Sequence, residues 1–252
     1  MENKKNILEI KNLSKIYHTS KSEIPAIEDL NLNVKEGEFI AIVGPSGCGK
    51  TTLLSILCGL ENKSSGNIIL SKDKLKVGYM LQTDTLFPWL NILDNCLLGL
   101  KVENNVNDKN IAKVKDYLTT YGLKEFIYKF PNNLSGGMKQ RVALIRTLAI
   151  DPDIILLDEP FSALDYQTRL AVSDDVWKII KKEKKTTIMI THDVAEAISM
   201  ADRVIVLTDR PSKVKSEYKI VMKSKSNPIN NRNLKEFKYY YDKIWKDIDI
   251  HV

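Results

Sequence analysis

An apolar run, Phe39-Ile40-Ala41-Ile42-Val43, leads directly into Gly44-Pro45-Ser46-Gly47-Cys48-Gly49-Lys50-Thr51, and leucines at helical spacing follow at Leu53, Leu54, Leu57 and Leu60. This is G-x-x-x-x-G-K-[ST] in the context that gives the pattern meaning, a strand before it and a helix after it. The glycines let the backbone curl so that successive N–H groups face phosphate oxygens, and the helix starting near Lys50 adds its positive end. Lys50 is expected to hold the β- and γ-phosphates, Thr51 to offer its hydroxyl to Mg2+, and Thr52 to reach the α-phosphate. Cys48 needs to contribute only its backbone N–H. A glycine-rich turn without a ligand is the competing reading, and the correct flanks argue against it. The loop points to a nucleotide and says nothing of the reaction.

A phosphate cradle of this kind works with an acidic residue on a neighbouring strand, and Ile154-Ile155-Leu156-Leu157-Asp158-Glu159 is an apolar run ending in two carboxylates. Asp158 is expected to hold Mg2+ through its water shell, and Glu159, one residue beyond the strand, to polarise an attacking water.

Around these motifs the periodicity alternates. Strands are predicted over Ile7 to Leu13, over Ile27 to Val34, at Ile68-Ile69-Leu70, over Val77 to Leu81, Thr186 to Thr191 and Arg203 to Thr208. The turn-rich Ser71-Lys72-Asp73-Lys74 reads as the bend of a short hairpin between Leu70 and Val77. Helices are predicted in two pieces between Asn91 and Asn133, split at the Asn/Asp-rich Glu103 to Asp108, then over Met138 to Ile150, Gln167 to Lys184 and Val194 to Met200. Continuous apolar strands alternating with helices argue for an α/β fold with a mainly parallel sheet covered on both faces.

Composition narrows the setting. The chain of 252 residues is 43% apolar and 28% charged, enough for a sizeable core. It has no apolar run long enough to span a bilayer and no signal-peptide core after Met1-Glu2-Asn3-Lys4-Lys5, so a cytoplasmic location is expected. Cys48, Cys58 and Cys96 are an odd set without a C-x-x-C pair, which points to neither a disulfide framework nor zinc; Cys58 and Cys96 read as core residues. Of the net charge of +6, residues 211–252 hold ten Lys/Arg against five Asp/Glu, or +5, leaving +1 for the rest. The segment reads as a solvated basic tail, with contact to nucleic acid or anionic lipid as the alternative.

Leu134-Ser135-Gly136-Gly137-Met138 lies shortly before the acidic strand, and the order of motifs resembles the ATP-binding subunits of ABC transporters over nearly the whole chain. By that resemblance Tyr17 is the aromatic A-loop position, Gln82 the Q-loop, Ser135 to Gly137 the signature, Ser162-Ala163-Leu164-Asp165 the D-loop and His192 the H-loop. It implies an ABC ATPase fold with an N-terminal antiparallel β part and a helical subdomain, divided as 1–88 with 151–210 for nucleotide, 89–150 for the helical part, and 211–252 as the tail. Tyr17 would stack on adenine, although a core or surface tyrosine is its plainer reading. His192 would touch the γ-phosphate and join Lys50 and Glu159 as a catalytic residue, against a structural histidine. Gln82 would join Thr51 and Asp158 around the metal.

Ser135 opens a helix whose N–H groups, with two glycines beside them, form an anion site that no phosphate of the same chain can fill. The resemblance supplies the partner: a second copy, head to tail, with ATP between one P-loop and the other copy's signature and Asp165 nearby. An ordinary helix cap is the alternative for Ser135. Phe87-Pro88-Trp89, Met138-Lys139-Gln140-Arg141 and Asp202 to Pro211 resemble the nitrate, sulfonate and taurine importers in particular. There a permease's coupling helix sits after the Q-loop, an extracytoplasmic solute-binding protein acts indirectly, and the subunit works at the cytoplasmic face of the membrane. Core packing is the alternative for Trp89. The Leu70–Val77 hairpin is shorter than in most such proteins. The rival function is a soluble ABC ATPase acting on nucleic acid or ribosomes, supported only by the basic tail, and no nucleic-acid partner is expected. The signature opposes a P-loop kinase, and Asn62-Lys63-Ser64-Ser65 fails the guanine motif of a GTPase.

Overall fold

The computed structural model describes residues 5–20, 22–83 and 85–248. In chain order they form β1 (Asn6–His18), β2 (Glu23–Lys35), β3 (Phe39–Val43), α1 (Lys50–Leu57), β4 (Ser65–Leu70), β5 (Val77–Met80), α2 (Ile92–Val102), α3 (Asp108–Thr120), α4 (Gly136–Ala149), β6 (Ile154–Asp158), α5 (Tyr166–Lys182), β7 (Thr186–Ile190), α6 (Val194–Met200), β8 (Arg203–Leu207), β9 (Val214–Lys219), α7 (Pro228–Asn231) and α8 (Lys235–Ile248).

Two sheets organise them. One is antiparallel in the order β2-β1-β4; the other has six strands in the order β5-β6-β7-β3-β8-β9, parallel except for β9. Every residue of β3, β6, β7 and β8 is buried, as strands covered on both faces must be. Their alternation splits the core. Phe39, Ala41 and Val43 face the cluster built with α2 to α6, whereas Ile40 and Ile42 face the one shared with α1 and the antiparallel sheet. The expected α/β architecture, mainly parallel sheet and antiparallel N-terminal part are therefore present.

Two expectations need correction. Ile68 to Leu70 and Val77 to Leu81 are not a hairpin: β4 pairs with β1 in one sheet and β5 with β6 in the other. The connecting turn is held at the second sheet by Asp153, whose Oδ1 accepts from Lys72 Nζ at 2.7 Å and Oδ2 from the Lys76 amide at 2.8 Å. Two short apolar runs around a polar bend carry no information on which neighbours they pair with, and the bend here crosses between layers.

Residues 211–248 are not a solvated tail. β9 adds to the sheet along β8, Ile220 and Met222 are buried, and Ile244 of α8 lies fully inside the cluster that holds Phe39. Lys225 pairs with Asp202 at 3.0 Å, and Asn231 Nδ2 donates to Ser199 O at 2.8 Å. The lysines of α8 conceal an apolar stripe, Phe237, Tyr240, Tyr241, Ile244 and Ile248, at helical spacing against the core. Ile244→Ala should therefore cost about 2–5 kcal/mol, a fall in Tm on the order of 5–15 °C for a chain of this size. Thermal unfolding of the purified chain checks it; a segment merely trailing in solvent would leave the transition where it was.

Candidate functional site

Parallel strands bring their C-terminal ends to one edge, and the loops leaving β3, β5, β6 and β7 meet there. The loop after β3 turns on glycines with backbone that other residues resist: Gly47 has φ 73° and Gly49 φ 118°. A Cβ on Gly49 would also stand 3.0 Å from the Ala26 carbonyl oxygen, so the position is closed to side chains twice over. Lys50, almost fully buried, donates from Nζ to Gly44 O and to Pro45 O, each at 2.8 Å. Its ammonium thus ties the helix start to the start of the loop. Cys48 is a buried thiol, pushed up in pKa by burial and pulled back by Lys50. Cys58 is half-buried and Cys96 fully buried, each a free thiol.

Asp158 ends β6 beneath this loop. Its Oδ1 accepts from Thr51 Oγ1 at 3.4 Å and its Oδ2 from the Tyr79 hydroxyl at 2.9 Å. Burial raises its carboxyl above the ordinary range, against the pull of the Tyr79 bond; burial also pushes the Tyr79 phenol well above its usual value. A hydroxyl and a carboxylate side by side at a phosphate cradle are hard oxygen donors. They suit Mg2+, which takes one or two protein oxygens, keeps several waters and shares phosphate oxygens.

Glu159 follows with φ 43°, a left-handed backbone that a non-glycine residue holds at a cost. Its amide donates to Ile190 O at 3.0 Å, which pins the turn to the end of β7. The side chain is then held between two polar residues from two other loops. His192 Nδ1 lies 3.1 Å and Gln82 Nε2 3.3 Å from Glu159 Oε2, while Gln82 Nε2 is also 3.4 Å from Ser162 Oγ. Gln82 thus faces Glu159 and Ser162. Tyr17 is half-buried, gives its hydroxyl to Thr52 Oγ1 at 3.4 Å and has Lys15 Nζ 4.6 Å from its ring centroid.

The predicted residues form one cluster around Lys50, Thr51, Asp158, Glu159, Gln82 and His192, and a second group at α4. There Ser135 Oγ accepts the Met138 amide at 3.4 Å, an ordinary N-cap. Gly137 is required by the chain's own packing as well, since a Cβ would stand 2.7 Å from Val172 Cγ2 on α5, and one on Gly136 would stand 3.0 Å from Leu164 Cδ2. Asp165 caps α5, accepting the Thr168 amide at 3.1 Å, and hydrogen bonding from the Thr168 side chain, then from its amide, holds the carboxyl below the usual range.

Phe87 and Trp89 pack in a tilted pair with ring centroids 5.0 Å apart, and Trp89 is 70% exposed, so it is not a core residue. Phe87 borders a groove of about 580 Å³ whose walls include Leu81, Leu98 and Val102. Asn95, fully buried on α2, holds this loop: it accepts the Phe87 amide at 2.8 Å and donates to Phe87 O, Leu90 O and Asn91 O. Tyr79, Asn95 and Ser162 acquire their roles only through folding. Tyr79 and Asn95 sit within regular apolar patterns, which gives a sequence reader no signal.

The profile of the ABC transporter family matches residues 27–162. An ABC transporter ATP-binding protein of Bacillus subtilis is 38% identical over 96% of this chain and 95% of its own length. The taurine import ATP-binding protein of Pelagibacter ubique is 40% identical over 89% of this chain and 87% of its own. Among solved structures, the dimeric post-hydrolysis state of an ATP-binding cassette bound to ADP and Pi superposes with a TM-score of 0.71 at 33% identity, covering 85% of this chain and 99% of that one.

The Tyr79–Asp158 bond makes a direct prediction. Tyr79→Phe removes a donor from a buried carboxylate, at about 1–3 kcal/mol of stability in a urea melt. Because the bond lowers the Asp158 pKa, its loss should also move the acid limb of Mg2+-dependent ATP-analogue binding to higher pH in a fluorescence titration. An unshifted limb would mean that Tyr79 does not tune Asp158.

Proposed function

This chain belongs to the ABC transporter family as the ATP-hydrolysing subunit that powers an importer, and from that premise we propose how its residues divide the work. Lys50 and the N–H groups of Gly44 to Thr51 take the β- and γ-phosphates, with Thr52 at the α-phosphate and Tyr17 against the adenine. Thr51 and Asp158 would hold Mg2+, with Gln82 as the third residue beside it. When bound, the metal would neutralise phosphate charge. Glu159 orients the water that attacks the γ-phosphate in line, and His192 and Lys50 stabilise the charge that develops. The observation that carries this assignment is the position of Glu159 Oε2, held between His192 Nδ1 at 3.1 Å and Gln82 Nε2 at 3.3 Å. A carboxylate so held costs little reorganisation when it aligns a water.

A second copy completes the site. The remaining N–H groups at the start of α4, beside Ser135, Gly136 and Gly137, meet the γ-phosphate held by the other copy, with Asp165 near the junction. The dimeric solved cassette supports this arrangement. Residues 1–88 and 151–210 act as the nucleotide-binding part and 89–150 as the helical part. Among the described residues no helix is long and apolar enough to cross a membrane. The subunit joins the cytoplasmic face through a permease whose coupling helix docks near Phe87, Pro88 and Trp89, and an extracytoplasmic solute-binding protein acts indirectly. The solute is a small one of the taurine, sulfonate or nitrate kind, supported by the taurine relative and by the Phe-Pro-Trp segment.

Glu159→Gln should retain ATP binding while steady-state hydrolysis falls at least ~100-fold, and the slowed enzyme should accumulate as an ATP-bound dimer in size-exclusion chromatography. Undiminished turnover would remove Glu159 from its role. Trp89→Ala should leave the Tm of the isolated chain within a few degrees, because the ring is mostly in solvent. Loss of such an aromatic anchor should weaken binding to permease-containing membranes by about 2 kcal/mol, some 30-fold. Unchanged co-sedimentation with those membranes would take the docking surface elsewhere.

A further inference from the structure

We propose that Arg169 is a positioning residue for ATP hydrolysis, its guanidinium tying the Leu164 carbonyl beside Asp165 to the two carboxylates that flank His192. The inference rests on the reading of His192 and Asp165 given above. Arg169 lies in the first turn of α5, just after the Asp165 cap. Its Nη2 donates to Leu164 O at 3.2 Å, its Nη1 lies 3.6 Å from Asp193 Oδ2, and its Nε lies 3.8 Å from Glu196 Oε1. One planar fork therefore spans two loops, which a point charge on a flexible stem cannot do.

Those carboxylates in turn fix the backbone on both sides of His192. Thr191 Oγ1 donates to Glu196 Oε2 at 2.8 Å and accepts the Asp193 amide at 3.0 Å. Asp193 Oδ1 caps α6, accepting the amides of Ala195 at 2.7 Å and Glu196 at 3.0 Å. Thr191 and Asp193 are thus both anchored, and the imidazole between them is delivered to Glu159. Leu164, held at the other end of the fork, carries the D-loop acid next to it. A shift of either loop would be transmitted to the other through a nearly buried ion pair, since Glu196 is 3% exposed.

The charge balance of the cluster supplies an independent readout. Burial pushes the Glu196 carboxyl up to about 7, with Asp193 adding to the rise and Thr191, Arg169 and Arg232 of the α7 end opposing it. Removing Arg169 takes away one of the opposing cations, so Glu196 would protonate at higher pH still.

Steady-state ATPase assays of the full-length chain, with Arg169→Ala, Arg169→Gln, Arg169→Lys and Glu196→Gln, test the proposal, and His192→Ala serves as the reference for the site itself. Arg169→Ala is expected to lower kcat by about 10- to 100-fold with KM for ATP within about threefold. Its kcat–pH profile should have an acid limb moved upward. Arg169→Lys should recover only part of kcat, because it can pair with the carboxylates but cannot also bridge to Leu164 O, and Glu196→Gln should flatten the acid limb. Arg169→Gln, which keeps bulk and neutral donors, takes the place of alanine if that variant loses more than a few degrees of Tm. Wild-type kcat and an unmoved acid limb in Arg169→Gln, with His192→Ala impaired, would overturn the proposal alone. Wild-type turnover in His192→Ala would overturn the site reading beneath it.

Discussion

Parallel pairing of β5, β6, β7, β3 and β8 is the constraint on which everything else here depends. Because these strands run the same way, each ends at the same edge of the sheet, and each following loop is delivered there. Lys50 comes from the loop after β3, Asp158 and Glu159 from the end of β6, and His192 from the end of β7. The register makes the arrangement tight: Asp158 pairs with Ile190, and the Glu159 amide donates to the Ile190 carbonyl, so the loops after β6 and β7 share one rung. No hairpin could do this, since antiparallel neighbours alternate their ends.

The buried sheet also stabilises local conformations that would not persist alone. Gly49 and Glu159 both occupy left-handed backbone, one because a side chain has no room and the other despite having one. Strain of this kind survives where the surroundings over-determine it. Around Glu159 those surroundings are the β7 carbonyl, the Ser162 hydroxyl donating to Glu159 O at 3.1 Å, and the polar contacts of Gln82 and His192. Rigidity of the edge is thus converted into placement of one carboxylate.

The helical side performs the corresponding task for the Phe87–Leu90 segment. Asn95 of α2 holds the Phe87–Leu90 loop by its backbone, and Arg146 of α4 donates to Thr85 O at 2.9 Å and to Thr85 Oγ1 at 2.8 Å. The segment that leaves Gln82 is therefore suspended from the two helices that line the groove. Packing of Gly137 against Val172 brings α4 close to α5, on which Asp165 and Arg169 stand. The groove is thus linked to Glu159 through the segment that begins at Gln82.

What the chain's own letters determined was chemistry that lives in contiguous residues. The phosphate loop, the acidic strand end and the helix start of the signature are short, local and stereochemically demanding, so they are legible at Gly44 to Thr51, Asp158-Glu159 and Ser135 to Gly137. The alternation of apolar runs likewise disclosed the α/β order, because burial on both faces imposes it. What only the tertiary structure decided was pairing and company. It assigned β4 and β5 to different sheets, folded the basic C-terminal segment onto the core through Ile244, and put Trp89 in solvent. It also recruited Tyr79 to Asp158, Asn95 to the Phe87 loop and Arg169 to the acids around His192. The physical reason is the same in each case. A strand's partner, a residue's exposure and a side chain's hydrogen-bonding neighbour are set by contacts between segments far apart in sequence, and periodicity along one segment does not encode them.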